Sequence, residues 1–376
     1  MPGESRVALL TQGRRLPELD GVRGIAILLI LLRHSVVWPA GQMLQNRAPR
    51  LYALLDASWC GVDLFFVLSG FLIAGILLDH RDAPNVLRVF YTRRACRILP
   101  AYLVLLLVAS LPIGGAPQIA EGEVPLAVYL AFLQNLWSAA GARVAFALAP
   151  CWSLAIEEQF YLGLPLLLLW VFRRRFGSFA AVMLLVPPLL RCLCLATGWR
   201  SPWDFTPCRL DAPFWGVLAA VLVRDDRAAA LMLKHRRALG WAAGAGLLGV
   251  AALSQLALVP GGANLVLAFG LSLIAVTFTV ALVSVLLSPE ATAARLVRWP
   301  PLRWAGKHSY FLYLFHLIIV RLIPIPQLPL RLAVSTCALA VLAVISRHWL
   351  ELPLLNLGAG VEYAEPTQSA QLQPYP

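Results

Sequence analysis

Apolar runs alternate with short polar segments along the whole of this 376-residue chain. Many of the runs approach the length that crosses a bilayer as a helix, about 20 residues. They lack strict apolar–polar alternation, which argues against a membrane barrel and leaves helices to satisfy the backbone in lipid. The pattern predicts an all-α, polytopic membrane helix bundle of about ten transmembrane helices, at 21–40, 58–78, 98–113, 151–172, 178–197, 209–223, 238–258, 264–287, 309–323 and 330–350.

One apolar segment, 124–137, does not fit this series because it has only 14 residues. Such a length suits a re-entrant or surface helix better than a full crossing. Counting it as a crossing would also invert every later loop and put the Arg173–Arg175 run outside. We therefore predict that 114–150 is an outward loop containing a membrane-dipping helix.

The two ends of the chain differ in character. The first apolar run ends in "VVWPAGQM", without a small-x-small cleavage site, and is predicted to be a retained helix rather than a signal peptide. The stretch from Ala359 onward is polar and rich in Pro and Gln, which predicts a disordered tail over 359–376. The membrane domain then covers 1–358.

Composition and charge support this picture. The chain is 60% hydrophobic and 13% charged, with a formal net charge of +12. The cations fall mostly between the apolar runs, as expected of cytoplasmic loops, and this distribution argues against a nucleic-acid partner. With both termini cytoplasmic, the inward segments hold Arg6, Arg14, Arg15 and Arg23; Arg81, Arg88, Arg93, Arg94 and Arg97; Arg173–Arg175; 224–237; 295–308; and Arg347.

The first predicted helix carries cations where hydrocarbon penalises them. Arg23 and His34 are eleven residues apart, which returns a helix to within about 20° of its starting direction after a rise of about 16 Å. Both side chains should share one face, Arg23 at the cytoplasmic boundary and His34 near mid-membrane, where a neutral imidazole can abstract a proton. A histidine that only bonds a neighbouring helix is an equally open interpretation. Arg33 points elsewhere and is expected to pair with a carboxylate of another helix.

Two features follow in the next helices. Asp63 lies near the outer end of the second span, with Ser69 and Gly70 in its middle, where close helix packing is the favoured interpretation. Arginines at 93, 94 and 97 cluster where the chain re-enters the membrane from the cytoplasm. They serve as topology determinants and, because guanidinium groups bind phosphate bidentately, they also predict a site for a phosphorylated donor.

Further ionisable and aromatic side chains lie inside later spans. Glu157 and Glu158 are adjacent about two turns into the fourth span, where one could pair with a cation and the other could bind a hydroxylated acceptor. Trp152 and Tyr161 flank them and fit an interfacial aromatic belt. His316 lies in the ninth span, where a structural role is at least as plausible as a catalytic one.

The seven cysteines show no metal-binding spacing. Cys192, Cys194 and Cys208 lie near an outer boundary and could form a bridge if that side is oxidising. Small apolar packing within helices is the favoured interpretation.

Taken in order along the chain, these motifs resemble the acyltransferase-3 family of integral-membrane O-acyltransferases, over about residues 15–355. The matching stretches are "LDGVRGIAILLILLRH", "GVDLFFVLSGFLI", "RRACRILPAY", "WSLAIEEQFYL", "RLDAPFWGVLAA", "GKHSYFLYLFHL" and the terminal "LELP". Each motif alone is modest, whereas the Arg-x10-His helix together with WSL-x-x-EEQFYL is quite specific.

The resemblance implies an acyl-CoA donor (acetyl-CoA first of all) entering from the cytoplasm, a hydroxylated carbohydrate or glycosylated acceptor, and no metal. It implies catalytic roles for His34, Arg23, Glu157 and Glu158, and donor binding by Arg93, Arg97 and Ser69. We further predict that Arg94 contacts the donor, and that the substrate is contacted by Asp63, Trp152, Tyr161 and His316. His34 would be either the catalytic base or the residue that carries the acyl group.

The expected function is O-acyl transfer at the cell (inner or plasma) membrane, with the lipid bilayer as the protein's surroundings. The sequence leaves the oligomeric state open, a homo-oligomer included. The competing class is a proton-coupled transporter or flippase of a glycan or lipid-linked intermediate, which would also use a mid-membrane histidine. We see neither the inverted repeats nor the matched broken helices typical of that class.

Overall fold

The computed structural model describes residues 16–113, 117–171, 175–199 and 201–365, and these residues form helices, turns and irregular segments without a strand. The all-α prediction is confirmed. The first ten α-helices are α1 (Pro17–Leu32), α2 (Gly41–Arg47), α3 (Pro49–Asp56), α4 (Gly61–Asp79), α5 (Val86–Ser110), α6 (Leu126–Leu130), α7 (Gln134–Ala139), α8 (Cys151–Leu166), α9 (Phe176–Val182) and α10 (Val186–Thr197).

Ten more follow in the second half of the described chain. They are α11 (Asp211–Leu222), α12 (Asp226–Lys234), α13 (Arg236–Leu256), α14 (Gly262–Leu265), α15 (Leu271–Leu287), α16 (Thr292–Val297), α17 (Pro300–Lys307), α18 (Ser309–Leu322), α19 (Leu328–Ser346) and α20 (Leu352–Ala359). Turns of π-helix continue α1, α8, α14 and α19, over Arg33–Val37, Leu167–Val171, Val266–Gly270 and Arg347–Glu351. Such turns are frequent at functional sites, and the first of them carries His34.

Each predicted span coincides with helix, but fewer helices are long and apolar enough to cross a bilayer alone. Five continuous runs in the described part of the chain meet that requirement: Pro49–Asp79, Phe176–Thr197, Arg236–Leu256, Gly262–Leu287 and Leu328–Ala359. A sixth crossing results if Pro17–Val37 and Gly41–Arg47, which meet at 83°, are counted together. The described residues therefore contain five helices that could cross a membrane, or six if the bent pair is one crossing, and ten crossings stay a prediction.

The short apolar segment 124–137 forms two helices, α6 and α7, rather than the single membrane-dipping helix predicted. Phe132 lies between them with a positive φ of 54°, a conformation that ends a right-handed helix. The Gln159 side chain of α8 donates a hydrogen bond to the Phe132 carbonyl at 2.7 Å and holds the break in place.

Three glycines explain how the central helices pack. A Cβ on Gly70 of α4 would lie 1.8 Å from the Pro213 carbonyl oxygen, and one on Gly216 of α11 would lie 2.0 Å from that of Val67. The close helix approach predicted at Gly70 is confirmed. In the same way, a Cβ on Gly24 of α1 would meet the backbone of α17, so the two helices are in contact beside Arg23.

Several sequence predictions fall on segments outside the described residues. These are Arg6, Arg14 and Arg15, Arg173 and Arg174, and the part of the predicted tail that covers 366–376. Between Ala359 and Glu365 the chain is described, and it contacts the residues at the start of α5.

Candidate active site

A cavity of about 90 Å3 lies between α1, α4, α5, α8 and α18, and we call it the inner cavity. Its polar lining comes from distant parts of the sequence: Arg23, Ser69, Arg94, Arg97, Ser153, Glu157, Tyr161, Ser309, Tyr310 and Tyr313. The fold therefore gathers cations, one carboxylate and several hydroxyls around a single space.

A wider cavity of about 390 Å3, the vestibule, adjoins the inner cavity. The two spaces share Arg23, Leu72, Arg97, Ser309 and Tyr310 in their lining. The charged groups of the vestibule are the cations Arg23, Arg97, Arg224, Lys307 and Arg347 and the carboxylates Asp20, Asp79 and Glu351. Because cations outnumber carboxylates, the vestibule favours an anionic ligand.

The arginines of the inner cavity are engaged to different degrees. Arg94 holds its guanidinium carbon 5.6 Å from the ring centre of Tyr161. Arg23 has the Asp20 carboxylate at 3.9 Å, the outer limit of an ion pair. Arg97 has no hydrogen bond or ion pair within the described ranges, so its guanidinium has all its donors available in both cavities.

Arg93, predicted with Arg94 and Arg97 to bind the donor, is occupied elsewhere. Its Nε and Nη2 donate to the Val361 carbonyl at 3.1 and 2.8 Å, and its guanidinium lies 5.0 Å from the ring centre of Tyr363. The structure thus brings two of the three clustered arginines into the cavity and directs the third to the C-terminal segment.

Ser69 and Glu157 meet in the inner cavity. The Ser69 hydroxyl donates to Glu157 Oε1 at 2.7 Å, and the Tyr161 hydroxyl donates to Ser69 Oγ at 3.0 Å. A hydroxyl relay therefore ends on the carboxylate that faces the arginines. The sequence predicted that a glutamate here could pair with His34 or Arg33, whereas its hydrogen bond comes from Ser69.

The two residues after Glu157 have other surroundings. Glu158 Oε1 is buried without a hydrogen-bond partner among the described residues. Gln159 donates to the Phe132 carbonyl and to Asn135 Oδ1, at 2.7 and 2.9 Å, and accepts a bond from the Thr206 hydroxyl. Gln159 therefore fastens two outer segments to α8, a role that the sequence motif did not reveal.

His34 contacts His316, a pairing that the sequence did not predict. His34 Nδ1 lies 2.9 Å from His316 Nε2, and His316 Nδ1 lies 2.7 Å from the Tyr313 carbonyl oxygen. Because a carbonyl only accepts, the network assigns the His316 proton to Nδ1, and the Nε2 of neutral His316 accepts from His34 Nδ1–H. His34 Nε2 is thereby left unprotonated and available as a base.

Tyr313 and Phe65 are neighbouring aromatic residues of the inner cavity, and Tyr313 also contacts the histidine pair. Both side chains line the cavity, with their ring centres 6.2 Å apart. The Tyr313 hydroxyl donates to the Pro150 carbonyl at 2.8 Å, and the Tyr313 backbone anchors His316 one helical turn further along α18. His34 is not part of the cavity lining, and Tyr313, whose ring centre lies 6.1 Å from that of His316, links the cavity to the histidine pair.

Asp63, predicted to contact substrate, is enclosed in the protein. Arg209 Nη2 donates to Asp63 Oδ1 at 2.8 Å, and each side chain is 1% exposed. The guanidinium packs against the rings of Phe66, Trp152 and Trp203, at 4.8 to 5.7 Å from their centres. Asp63 and Trp152 therefore contact Arg209 and do not line the inner cavity. Removing either partner of a buried ion pair destabilises the fold, so we expect Asp63 and Arg209 to stay paired.

Arg33, turned away from the Arg23 side of its helix, pairs with Asp56 of α3 at 3.1 Å. The prediction that it would meet a carboxylate of another helix is confirmed. Its guanidinium also lies 5.3 Å from the ring centre of Trp38, which contacts His34 edge-on. Arg33 therefore fixes the end of the π-helical turn that carries His34.

Comparison with known proteins agrees with this arrangement of motifs. The chain is 27% identical over 380 residues to the O-acetyltransferase OatA of Staphylococcus aureus strain NCTC 8325 / PS 47, covering 94% of this chain and 59% of that protein. OatA of strain COL matches to the same extent. The chain spans about half the length of the curated relatives it matches, 51% in the case of other Staphylococcus aureus proteins named for the same activity. No solved structure matches it.

The family comparison covers nearly the whole described chain. The sequence model of the acyltransferase-3 family, described as an acyltransferase domain, matches residues 16–349. That range includes Arg23, His34, Glu157, the arginines of α5 and His316. This chain therefore belongs to the acyltransferase-3 family.

Proposed function

We propose that this protein is a membrane O-acyltransferase that moves an acyl group, acetyl in the first instance, from cytoplasmic acyl-CoA to a hydroxyl of a carbohydrate or glycosylated acceptor. Family membership and the activity for which the relatives are named support the reaction class. The observation that carries the proposal is the cationic vestibule and the inner cavity that adjoins it. Tyr313 of the cavity lining is one helical turn from His316, which bonds His34 and leaves His34 Nε2 as the basic nitrogen.

The donor binds in the vestibule and inner cavity. The phosphates of CoA lie against Arg97, Arg23 and Lys307, since guanidinium groups form strong charge-assisted bonds to phosphate. The pantetheine arm extends inward past Ser69, over a distance of the order of the 16 Å rise between Arg23 and His34. Arg94 and Glu157 line the path of the thioester.

The reacting step uses His34 Nε2. In direct transfer, Nε2 takes the proton of the acceptor hydroxyl as its oxygen attacks the thioester carbonyl, and the CoA thiolate leaves and takes up that proton. In covalent transfer, Nε2 attacks the thioester carbonyl, the carbon–sulfur bond breaks and the CoA thiolate leaves an acylimidazolium on His34. The acceptor oxygen then attacks the acyl carbon and restores the neutral imidazole, and the hydroxyl proton passes through water to the CoA thiolate. Both routes need the tautomer set by His316, and the hydrogen bonds at His34 support both equally.

The membrane arrangement completes the proposal. Ten helical crossings with both termini in the cytoplasm place the vestibule on the side where acyl-CoA is made. The excess of Lys and Arg in the segments assigned to the cytoplasm supports this orientation. The cell membrane is the site of action, and the acceptor approaches from the opposite side of the aromatic pair Phe65 and Tyr313.

A screen of acceptors tests the proposed reaction. Purified protein is incubated with acetyl-CoA and a panel of hydroxylated sugars, glycolipids and glycosides, and products are identified by mass spectrometry. We expect an acetyl ester on at least one acceptor and stoichiometric release of CoA. Protein that binds no acetyl-CoA and consumes none with any acceptor would contradict the proposal.

A further inference from the structure

The C-terminal segment after α20 is fastened to the start of α5. We call residues 360–364 the strap. Asn85 donates from Nδ2 to the Glu362 carbonyl at 3.0 Å and accepts from the Ala364 N–H at 2.9 Å, so its amide pairs with the strap as a neighbouring strand would. Arg93 donates twice to the Val361 carbonyl. Four hydrogen bonds therefore fix a stretch of five residues.

An aromatic contact completes the attachment. The ring of Tyr363 stacks on His80 with centres 3.8 Å apart and planes 12° from parallel, and Arg93 approaches the Tyr363 ring. Burial lowers the pKa of His80, which favours the neutral ring in this stack. Tyr363 lies close to the end of the described chain, a few residues after α20. Its side chain is nevertheless half-buried.

The helix that the strap holds forms one wall of the vestibule. Glu351 and Leu355 line that cavity beside Arg97 and Arg347. Further along the same helix, a Cβ on Gly358 would lie 3.0 Å from the Cβ of Cys96, so α20 packs closely on α5 next to Arg93. Leu355 supplies an apolar surface to a cavity otherwise rich in charge.

Leu355, Gly358 and the strap lie beyond the residues that the family model matches, 16–349. We propose that α20 and the strap complete the donor site of this protein, and that docking of the strap by Asn85, Arg93 and Tyr363 strengthens binding of acyl-CoA. This inference rests on the proposed function. Arg93 is then a positioning residue that acts through the C-terminal wall, whereas Arg97, one turn further along α5, contacts the donor.

Two truncations of the full-length protein test the inference. Binding of radiolabelled acetyl-CoA is measured on protein ending at Glu365, which keeps the strap, and on protein ending at Ala359, which removes it. We expect the first to bind like the intact chain and the second to bind about tenfold more weakly, a change that corresponds to about 1.4 kcal/mol. Thermal unfolding of both proteins checks that the remaining helices stay folded.

Point variants separate the strap from a general effect on folding. Tyr363→Ala should weaken acetyl-CoA binding, whereas Tyr363→Phe, which keeps the stacked ring, should not. Arg93→Ala should weaken acetyl-CoA binding in the intact chain but cause no further loss of binding in protein ending at Ala359. Arg97→Ala should weaken acetyl-CoA binding in both proteins. Additive effects of Arg93→Ala and the truncation would overturn the inference.

The outcomes distinguish this inference from the proposed function. If the intact chain binds acetyl-CoA and protein ending at Ala359 binds it equally well, the strap has no part in the donor site and the inference is wrong. If the intact chain binds no acetyl-CoA, the proposed donor is wrong and the inference falls with it.

Discussion

At the residue scale, the chemistry of His34 depends on the bond it makes to His316. His316 is 1% exposed and its own Nδ1 is committed to a backbone carbonyl, so it presents a fixed acceptor to His34. Partners of this kind set the tautomer and orientation of a reacting imidazole. We therefore propose that His316 positions His34, and the sequence prediction that His316 contacts substrate stays a prediction.

Substitution of His316 separates positioning from binding. His316→Leu removes the acceptor and should lower kcat about 10- to 100-fold, with little change in the KM for acetyl-CoA, because the base loses its orientation. His316→Gln retains an acceptor oxygen and should recover part of the rate. Steady-state kinetics on both variants measure the effect. A rise in KM at unchanged kcat would show that His316 binds substrate instead.

Arg97 is the residue expected to contribute most to donor affinity, because it has no other partner in the described structure and faces both cavities. Arg97→Ala should raise the apparent KM for acetyl-CoA about tenfold or more, since a hydrogen bond to a charged group contributes about 1.5–3 kcal/mol. The apparent KM of Arg97→Lys for acetyl-CoA should lie between those of the wild-type protein and Arg97→Ala. Unchanged affinity of Arg97→Ala for acetyl-CoA would contradict this prediction and leave Arg97 only a role as a topology determinant.

The sequence was informative about which residues matter and less so about their partners. Helical spacing predicted that Arg33 faces away from the Arg23 side, and a partner on another helix was found in Asp56. Spacing along one helix carries no information on what another helix presents, so neither the His34–His316 contact nor the Arg209–Asp63 pair was predicted. From the sequence, Arg93, Arg94 and Arg97 are equivalent candidates for donor binding, and the structure distinguishes Arg93 because it bonds Val361 of the strap.

At the element scale, glycine determines how closely the central helices approach. Gly70→Ala places a methyl group 1.8 Å from the Pro213 carbonyl, where neither backbone has room to move. We expect a large loss of thermal stability or failure to accumulate in the membrane. Gly249→Ala is the matched control, since a Cβ there meets nothing within 4 Å and should stabilise its helix slightly. Equal melting temperatures for the two variants would contradict this packing.

Helix existence was predictable from hydrophobic pattern, whereas helix ends and breaks were not. The apolar run at 124–137 gives no sign of the left-handed residue Phe132, because that conformation is imposed by contact with Gln159 on another helix. The attachment of the strap was also not predictable, because it too depends on contacts with another part of the chain. Its residues are polar enough to predict disorder from Ala359, yet 361–364 bond to side chains of α5 and of the turn before it.

At the scale of the whole molecule, the predicted ten crossings assign each loop to one side. In the described part of the chain five helices are long enough to cross alone and a bent pair could make a sixth, so the assignment depends on shorter ones such as Asp211–Leu222 and Ser309–Leu322. In a variant without native cysteines, Ser201→Cys should react with a membrane-impermeant maleimide in intact cells. Arg227→Cys should react only after permeabilisation. The reverse labelling would invert the topology and place the vestibule outside.

The central claim is that His34 carries out acyl transfer from CoA, and one measurement tests it most directly. Membrane vesicles containing wild-type protein or His34→Ala at equal amounts are given acetyl-CoA labelled in the acetyl group, with an acceptor found in the screen. Ester-bound label is then counted by its release with hydroxylamine. We predict labelled ester with wild-type protein and a loss of about 100-fold or more with His34→Ala. Equal labelling by the two proteins would contradict the claim.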